Sequence, residues 1–119
     1  MSLQASALRA AMGLIGGLMT SSGEPPELRA KIENYCKRMP APPEESSYEP
    51  ISISGVPAYW VTMPESDPNK VLLYLHGGGY MFGSTMSTHK DLVWRLAHAA
   101  RCRVLSVDYR LCPEHPFPA

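Results

Sequence analysis

Three consecutive glycines, Gly77, Gly78 and Gly79, constrain this chain more than any other feature of its sequence. They follow an apolar run at residues 71–75, and a helical pattern begins soon after them at Ser84. Glycine has no Cβ, so the backbone can turn sharply there and approach a ligand closely. Successive amides of such a turn can point at one anion. The pattern therefore predicts a strand, an anion-binding turn and a helix, an arrangement suited to the oxyanion of acyl transfer.

The segments around this turn predict a βαβ unit. Residues 71–75 are apolar without alternation, so both faces of that strand are expected to be covered, as in a parallel sheet. A helix over 84–101 is expected to begin with a capping box formed by Thr88 and Asp91. A second buried strand at 104–107 then completes a right-handed βαβ unit.

A β-hairpin is predicted ahead of this unit. Two strand-like runs, 51–53 and 58–62, lie on either side of the turn Ser54-Gly55. The hairpin adds antiparallel strands, so the fold class is α/β with a mixed, mostly parallel sheet. We divide the chain into a helical region with a linker, 1–45, and the first part of a core, 46–119.

Two helices are predicted in the first of these regions. Apolar residues at steps of three or four predict an amphipathic helix over 3–15, which Gly16 and Gly17 are expected to fray or end. A second helix is expected to begin at Pro25, because proline suits the first turn of a helix. From the residues alone, both helices are interpreted as padding for the sheet.

A second sequence block, DYRLCPEHPFP at residues 108–118, accompanies the first block, His76-Gly77-Gly78-Gly79. Together they resemble the hormone-sensitive-lipase-like carboxylesterases, a branch of the α/β-hydrolases. The resemblance covers residues 47–119 well and the earlier residues loosely. It implies the amino-terminal part of an α/β-hydrolase fold, with the 104–107 strand between the hairpin and the 71–75 strand. It also implies that the amino-terminal helices form part of a cap over the active site.

The resemblance further implies roles for the glycine turn. It assigns the oxyanion-hole donors to the backbone amides of Gly78 and Gly79, with His76 and Gly77 as structural members of the motif. No serine of the sequence stands in Gly-x-Ser-x-Gly. The nucleophile, acid and catalytic histidine are therefore expected later in a complete member of the family, and this chain alone is expected to be inactive, with an incomplete sheet and an open edge at residues 71–75.

Five apolar or aromatic residues are candidates for the substrate pocket. Tyr80, Met81 and Phe82 follow the glycines and are expected to border it, although core packing is an alternative for them. Leu14 and Leu18 would line the acyl side if the amino-terminal helices form the cap.

Three polar residues of the second block are interpreted as structural. Asp108 lies at a strand end and is expected to accept structural hydrogen bonds, with Arg110 as a candidate partner. Arg110 and Glu114 are expected to form a scaffold ion pair beside the active site.

Composition limits the classes of partner. The formal net charge is zero, which favours neither nucleic acid nor an anionic membrane. The cysteines Cys36, Cys102 and Cys112 have no C-x-x-C spacing, which indicates reduced thiols of a cytoplasmic protein and no metal site. The apolar run at 10–19 is shorter than the about 20 residues that span a bilayer, so no stable membrane insertion is expected.

The leading hypothesis is a serine carboxylesterase that hydrolyses short-to-medium acyl esters through an acyl-enzyme, without cofactor or metal. Its expected partner is a small-molecule ester, and a homodimer of the complete enzyme is left open. The alternatives are a non-catalytic, receptor-like binding protein of the same fold, and an amide or lactone hydrolase. An intact serine, acid and histidine beyond residue 119 would favour an enzyme over a receptor.

Overall fold

The computed structural model describes residues 24–118 together with Ser6, Arg9, Ala10, Gly13, Gly16 and Gly17. Its elements along residues 24–118 are α1 Pro25–Cys36, β1 Ser47–Ile53, β2 Val56–Thr62, β3 Asp67–Leu75, α2 Lys90–Ala100 and β4 Cys102–Val107. The order confirms the predicted hairpin followed by a βαβ unit, and hence the α/β class.

The six described residues ahead of Glu24 all have helical backbone. Gly16 and Gly17 are among them, and the next described residue is Glu24, so the expectation that this pair frays or ends the first helix stays a prediction. Helix α1 begins at Pro25 as predicted. Leu14 and Leu18 lie outside the described residues, and their place in a cap stays a prediction, as does the division into regions 1–45 and 46–119.

The four strands form one mixed sheet in the order β1-β2-β4-β3. Strands β1 and β2 are antiparallel, and their turn places Ser54 and Gly55 at positive φ. Strand β4 is antiparallel to β2 and parallel to β3. This order confirms that β4 lies between the hairpin and β3. Strand β3 is consequently an edge strand within the described part of the chain.

Helix α2 covers one face of the sheet and forms the core there. Val93 and Ala97 of α2 are fully buried and pack with Val61 of β2 and Val104 of β4. Alternate residues of β4 are buried, as expected for a strand with one covered face.

The other face of the sheet is open at β3. Val71, Leu73 and Leu75 keep 55%, 61% and 59% of their surface exposed. The prediction that both faces of this strand are covered is therefore wrong for the described residues. The register explains the difference, because Leu73 and Leu75 align with Leu105 and Val107 on the face opposite α2. Only Leu72 and Tyr74 of β3 point to the helix side, where they pack against the core.

Helix α2 starts later than the sequence pattern suggests. It begins at Lys90 with His89 as its N-cap, and no side chain caps it. The predicted helix from Ser84 and the Thr88–Asp91 capping box are therefore wrong. The Thr88 hydroxyl is occupied elsewhere: it lies 2.6 Å from His89 Nδ1 and accepts a bond from the Ser84 amide at 3.2 Å. Residues 85–89 instead form turns that join the glycine segment to α2.

Candidate active site

The glycine turn follows the carboxyl end of β3, and its backbone is left-handed over three residues. Gly78, Gly79 and Tyr80 have φ values of 133°, 61° and 60°. A Cβ at Gly78 would lie 1.9 Å from the carbonyl oxygen of Phe82, a distance that no side chain tolerates. Two hydrogen bonds close the turn here: the amides of Met81 and Phe82 both donate to the Gly78 carbonyl oxygen, at 3.1 and 3.2 Å. Position 78 thus requires glycine for both its φ and its lack of a Cβ.

The amides of this turn border a cavity of about 450 Å³. We call it the glycine cavity, and its lining residues are Leu75, His76, Gly77, Gly78, Gly79, Tyr80 and Tyr109. Neither the Gly78 nor the Gly79 amide donates to an acceptor among the described residues. Successive N–H groups in a left-handed turn beside a cavity are the features from which proteins build concave anion-binding sites.

His76 is part of the wall of this cavity. Only 3% of its surface is exposed, and its Nδ1 lies 2.8 Å from the Gly77 carbonyl oxygen. Its ring stacks on the ring of Tyr109, with centroids 4.3 Å apart and planes 10° apart. Its Nε2 is buried without a hydrogen-bond partner among the described residues. These contacts place His76 as a fixed member of the turn.

A second histidine, His89, lies close to His76. The rings of His76 and His89 have centroids 5.5 Å apart, and His89 also contacts the ring of Tyr74 at 5.8 Å. Burial, and then the neighbouring His76, lower the pKa of His89 below its ordinary value. This cluster of rings therefore favours uncharged His89.

Asp108, directly after β4, accepts hydrogen bonds from Thr85, which follows the glycine turn. Its Oδ1 accepts bonds from the backbone amide and the hydroxyl of Thr85, both at 2.7 Å. The Thr85 hydroxyl also lies 2.7 Å from that of Ser106, and both residues are fully buried. Asp108 accepts structural hydrogen bonds, but its partner is Thr85, and no bond to Arg110 is present among the described residues.

Glu114 is paired with a residue that the sequence did not single out. Arg29 of α1 donates from Nη1 and Nη2 to the two carboxylate oxygens of Glu114, at 2.8 and 2.9 Å. Hydrogen bonding from Arg29 lowers the pKa of the Glu114 carboxyl to about 2. The predicted ion pair between Arg110 and Glu114 is therefore wrong. Arg29 is a bidentate partner, whereas Arg110 borders a different cavity.

The cavity that Arg110 borders is larger than the glycine cavity and shares two tyrosines with it. It has a volume of about 570 Å³, and its lining residues are Val56, Tyr80, Tyr109, Arg110, Cys112, His115 and Phe117. Tyr80 and Tyr109 line both cavities, and their ring centroids are 6.0 Å apart. Of the predicted substrate-lining residues, Tyr80 borders the glycine cavity and is 70% exposed, whereas Met81 and Phe82 do not line it.

Sequence reasoning gave no role to Arg29, Thr85 or Tyr109. Arg29 lies 85 positions before Glu114, and no local spacing relates the two. Tyr109 stands inside the second block, so the block signalled its position but not its stacking on His76. Among the described residues, no group of three or more His, Cys, Asp or Glu side chains is placed to hold a metal ion. Within the same residues, no helix combines the length and apolarity needed to cross a bilayer.

Comparisons with known proteins identify the same fold. The family model described as an alpha/beta hydrolase fold matches residues 72–119. Esterase LipI of Mycobacterium tuberculosis is 44% identical over 71 residues, which are 59% of this chain and 22% of that protein. An esterase of Acinetobacter venetianus is 32% identical over 94 residues, which are 79% of this chain and 30% of that protein.

Solved structures extend the likeness to most of the chain. An esterase from the bacterial hormone-sensitive lipase family has a TM-score of 0.79 at 39% identity, over 94% of this chain and 37% of that one. An esterase/lipase from an uncultured bacterium has a TM-score of 0.75 at 33% identity, over 91% of this chain and 38% of that one. The chain thus spans less than two fifths of the length of each of these relatives.

The fold and the glycine turn, with these matches, define a protein of the α/β-hydrolase class. Within that class, the relatives and solved structures named above are esterases, one of them from the bacterial hormone-sensitive lipase family, and the chain resembles a part of each.

Proposed function

We propose that the full-length protein containing this chain is a carboxylic ester hydrolase acting on short-to-medium acyl esters. In this proposal the amides of Gly78 and Gly79 stabilise the oxyanion that forms when a nucleophile attacks the ester carbonyl. The observation that carries it is the pair of unbonded amides in a left-handed turn beside the glycine cavity. Preorganised amides stabilise developing negative charge because they need no reorientation during the reaction.

The surroundings of the turn support this role. The stacked rings of His76 and Tyr109 form one aromatic wall of the glycine cavity, and the apolar side chain of Leu75 contributes another part. Apolar walls lower the local dielectric constant and strengthen the attraction between the amides and an oxyanion. A cavity of about 450 Å³ leaves room for a small ester beside these amides. The small ester is the partner, and the nucleophile, acid and catalytic histidine come from sequence outside this chain.

The direct test is turnover of p-nitrophenyl acyl esters from acetate to laurate by the full-length product of the gene. We expect hydrolysis to be fastest at short-to-medium chain length and to stop after stoichiometric labelling by an organophosphonate. The 119-residue chain alone should show neither turnover nor labelling. Absence of both in the full-length protein, together with tight binding of a small ligand, would support a receptor-like protein and overturn the proposal.

A matched pair of substitutions at one position tests the oxyanion role. Gly79→Pro removes the amide, whereas Gly79→Ala retains it and brings its Cβ within 4 Å of no atom. Losing an oxyanion donor costs on the order of 100- to 1,000-fold in kcat. Because proline also fixes φ near −65° whereas Gly79 has a φ of 61°, we expect Gly79→Pro to lose thermal stability as well as far more activity than Gly79→Ala. Equal losses would assign position 79 a conformational role only.

A further inference from the structure

We propose that Arg29, on the amino-terminal helix, is a positioning residue that holds the glycine turn in its oxyanion-binding conformation. This inference rests on the proposed function and deepens it. Arg29 is too far along the chain from the turn for any local motif to connect them, and its role follows from four hydrogen bonds.

The guanidinium of Arg29 ties three segments together. Its Nε donates to the carbonyl oxygen of Met81 at 2.7 Å. Its Nη2 donates to the carbonyl oxygen of Cys112, and its two Nη atoms hold the carboxylate of Glu114. One side chain therefore bonds α1, the glycine turn and the loop after β4.

The bond to Met81 acts on the turn itself. The Met81 amide donates to the Gly78 carbonyl, so the peptide units on both sides of Met81 are fixed. The preceding carbonyl, that of Tyr80, accepts from the Cys112 amide at 2.8 Å. Arg29 in turn holds the Cys112 carbonyl, which supports that second contact. Without the guanidinium, the backbone bonds that hold residues 80–82 among the described residues are those within the turn and the one from the Cys112 amide.

The geometry favours arginine over any other residue at this position. Five donors in a rigid plane can reach two carbonyls and one carboxylate at once, which a lysine ammonium cannot do. The Arg29 side chain is 24% exposed, so its bonds are only partly screened by solvent. The bidentate carboxylate of Glu114 orients the guanidinium toward Met81.

The test compares Arg29→Met with a control at Arg95 in the full-length protein. Arg95 also forms a bidentate pair, with Asp91 on α2, at 2.7 and 3.2 Å, and it makes no bond to the glycine turn. Each Arg→Met variant keeps an unbranched apolar side chain and loses one ion pair. A general loss of a surface ion pair would therefore affect both variants equally.

Kinetics supply the first readout, normalised to active sites by organophosphonate titration. A small displacement of catalytic groups can lower rate by about 100-fold, so we expect Arg29→Met to lower kcat by about 10- to 100-fold. KM should change by less than about threefold, because the turn acts mainly in the transition state. Arg29→Lys should recover only part of the loss. A wild-type kcat in Arg29→Met, or an equal loss in Arg95→Met, would overturn the inference.

Amide hydrogen exchange supplies a readout that needs no activity. The Met81 and Phe82 amides are bonded inside the turn, and in Arg29→Met their exchange should rise by on the order of tenfold, the effect of one charge-assisted bond. In Arg95→Met it should not change. If the wild-type protein neither turns over esters nor reacts with the organophosphonate, the proposed function fails, while exchange still decides the role of Arg29. Should Arg29→Met fail to fold, Arg29→Lys and Glu114→Gln give the same comparison.

Discussion

Tyr109 holds His76 in two ways at once, through its ring and through its hydroxyl. The two rings are stacked with centroids 4.3 Å apart, and the Tyr109 hydroxyl donates to the backbone carbonyl of His76. A residue just after β4 thereby fixes the residue after β3, although the two are 33 positions apart in sequence. The parallel pairing of β3 and β4 makes this possible, because it brings the carboxyl ends of both strands to one edge.

Substitution of Tyr109 should separate these two contributions. Tyr109→Phe keeps the stacked ring and loses the hydroxyl, so the free energy of unfolding should fall by about 1 kcal/mol. Tyr109→Leu also loses the aromatic contact and should cost about 0.5–1.5 kcal/mol more. Urea unfolding of the full-length protein measures both values. Tyr59→Phe is the control, because the Tyr59 hydroxyl makes no hydrogen bond among the described residues; an equal effect there would contradict the role of Tyr109.

The two glycines of the turn should respond differently to alanine. Gly78→Ala places a Cβ 1.9 Å from the Phe82 carbonyl and must displace the turn, so kcat/KM should fall by on the order of 100-fold. A Cβ at position 79 would lie within 4 Å of no atom, so Gly79→Ala should lose only the strain energy of its left-handed φ, about 1–2 kcal/mol of unfolding free energy. Ester hydrolysis and thermal unfolding of both variants check this order. A larger kinetic loss for Gly79→Ala would show that the steric account of the turn is wrong.

The buried network at Thr85 should be costly to open. Thr85→Val keeps the shape and removes the hydroxyl, which leaves Ser106 and Asp108 each without one bond. We expect a loss of about 1–3 kcal/mol in unfolding free energy, the cost of an unsatisfied buried polar group. The double variant Thr85→Val/Ser106→Ala should lose less than the sum of the two single changes, because no hydroxyl is then orphaned at position 106. Strict additivity in urea unfolding would contradict this coupling.

His89 should make stability depend on pH below neutrality. Its folded-state pKa lies below the ordinary value of 6.5, chiefly because of burial. As pH falls below 6.5, the unfolded chain binds a proton at His89 that the folded chain resists, so this residue lowers stability. In His89→Asn the unfolding free energy should fall less steeply between pH 7.5 and 5 than in the wild type. Parallel curves for the two proteins would show that His89 does not cause this pH dependence of stability.

The open face of β3 should govern the behaviour of the 119-residue chain in isolation. Leu73 is 61% exposed on a strand that is also an edge, and such a surface templates association. We expect aggregation at low micromolar concentration in analytical ultracentrifugation. Leu73→Lys should increase the monomer fraction, whereas Leu72→Lys, on the face packed against α2, should abolish folding. A monodisperse wild-type monomer with a sharp thermal transition would contradict this expectation.

Sequence alone located the main elements of the fold. Period-two runs and the Ser54-Gly55 turn predicted the hairpin, because turn chemistry and strand alternation are local properties. Three glycines after an apolar run likewise predicted a turn at a strand end, and the resemblance placed β4 between the hairpin and β3. The requirement for glycine at position 78 is local as well, because a Cβ there would clash with Phe82, only four residues later.

Tertiary structure decided the contacts between distant segments and the exposure of each face. An apolar run at residues 71–75 does not reveal whether one face or both are covered, since that depends on which helices pack against it. The partner of Glu114 could not be read from spacing either: Arg110 is four residues away, but the folded chain brings Arg29 to it from 85 positions earlier. Asp108 bonds Thr85 rather than Arg110 for the same reason. Side-chain pairing depends on where the loops lie after folding, whereas the glycine turn depends on the backbone of five consecutive residues.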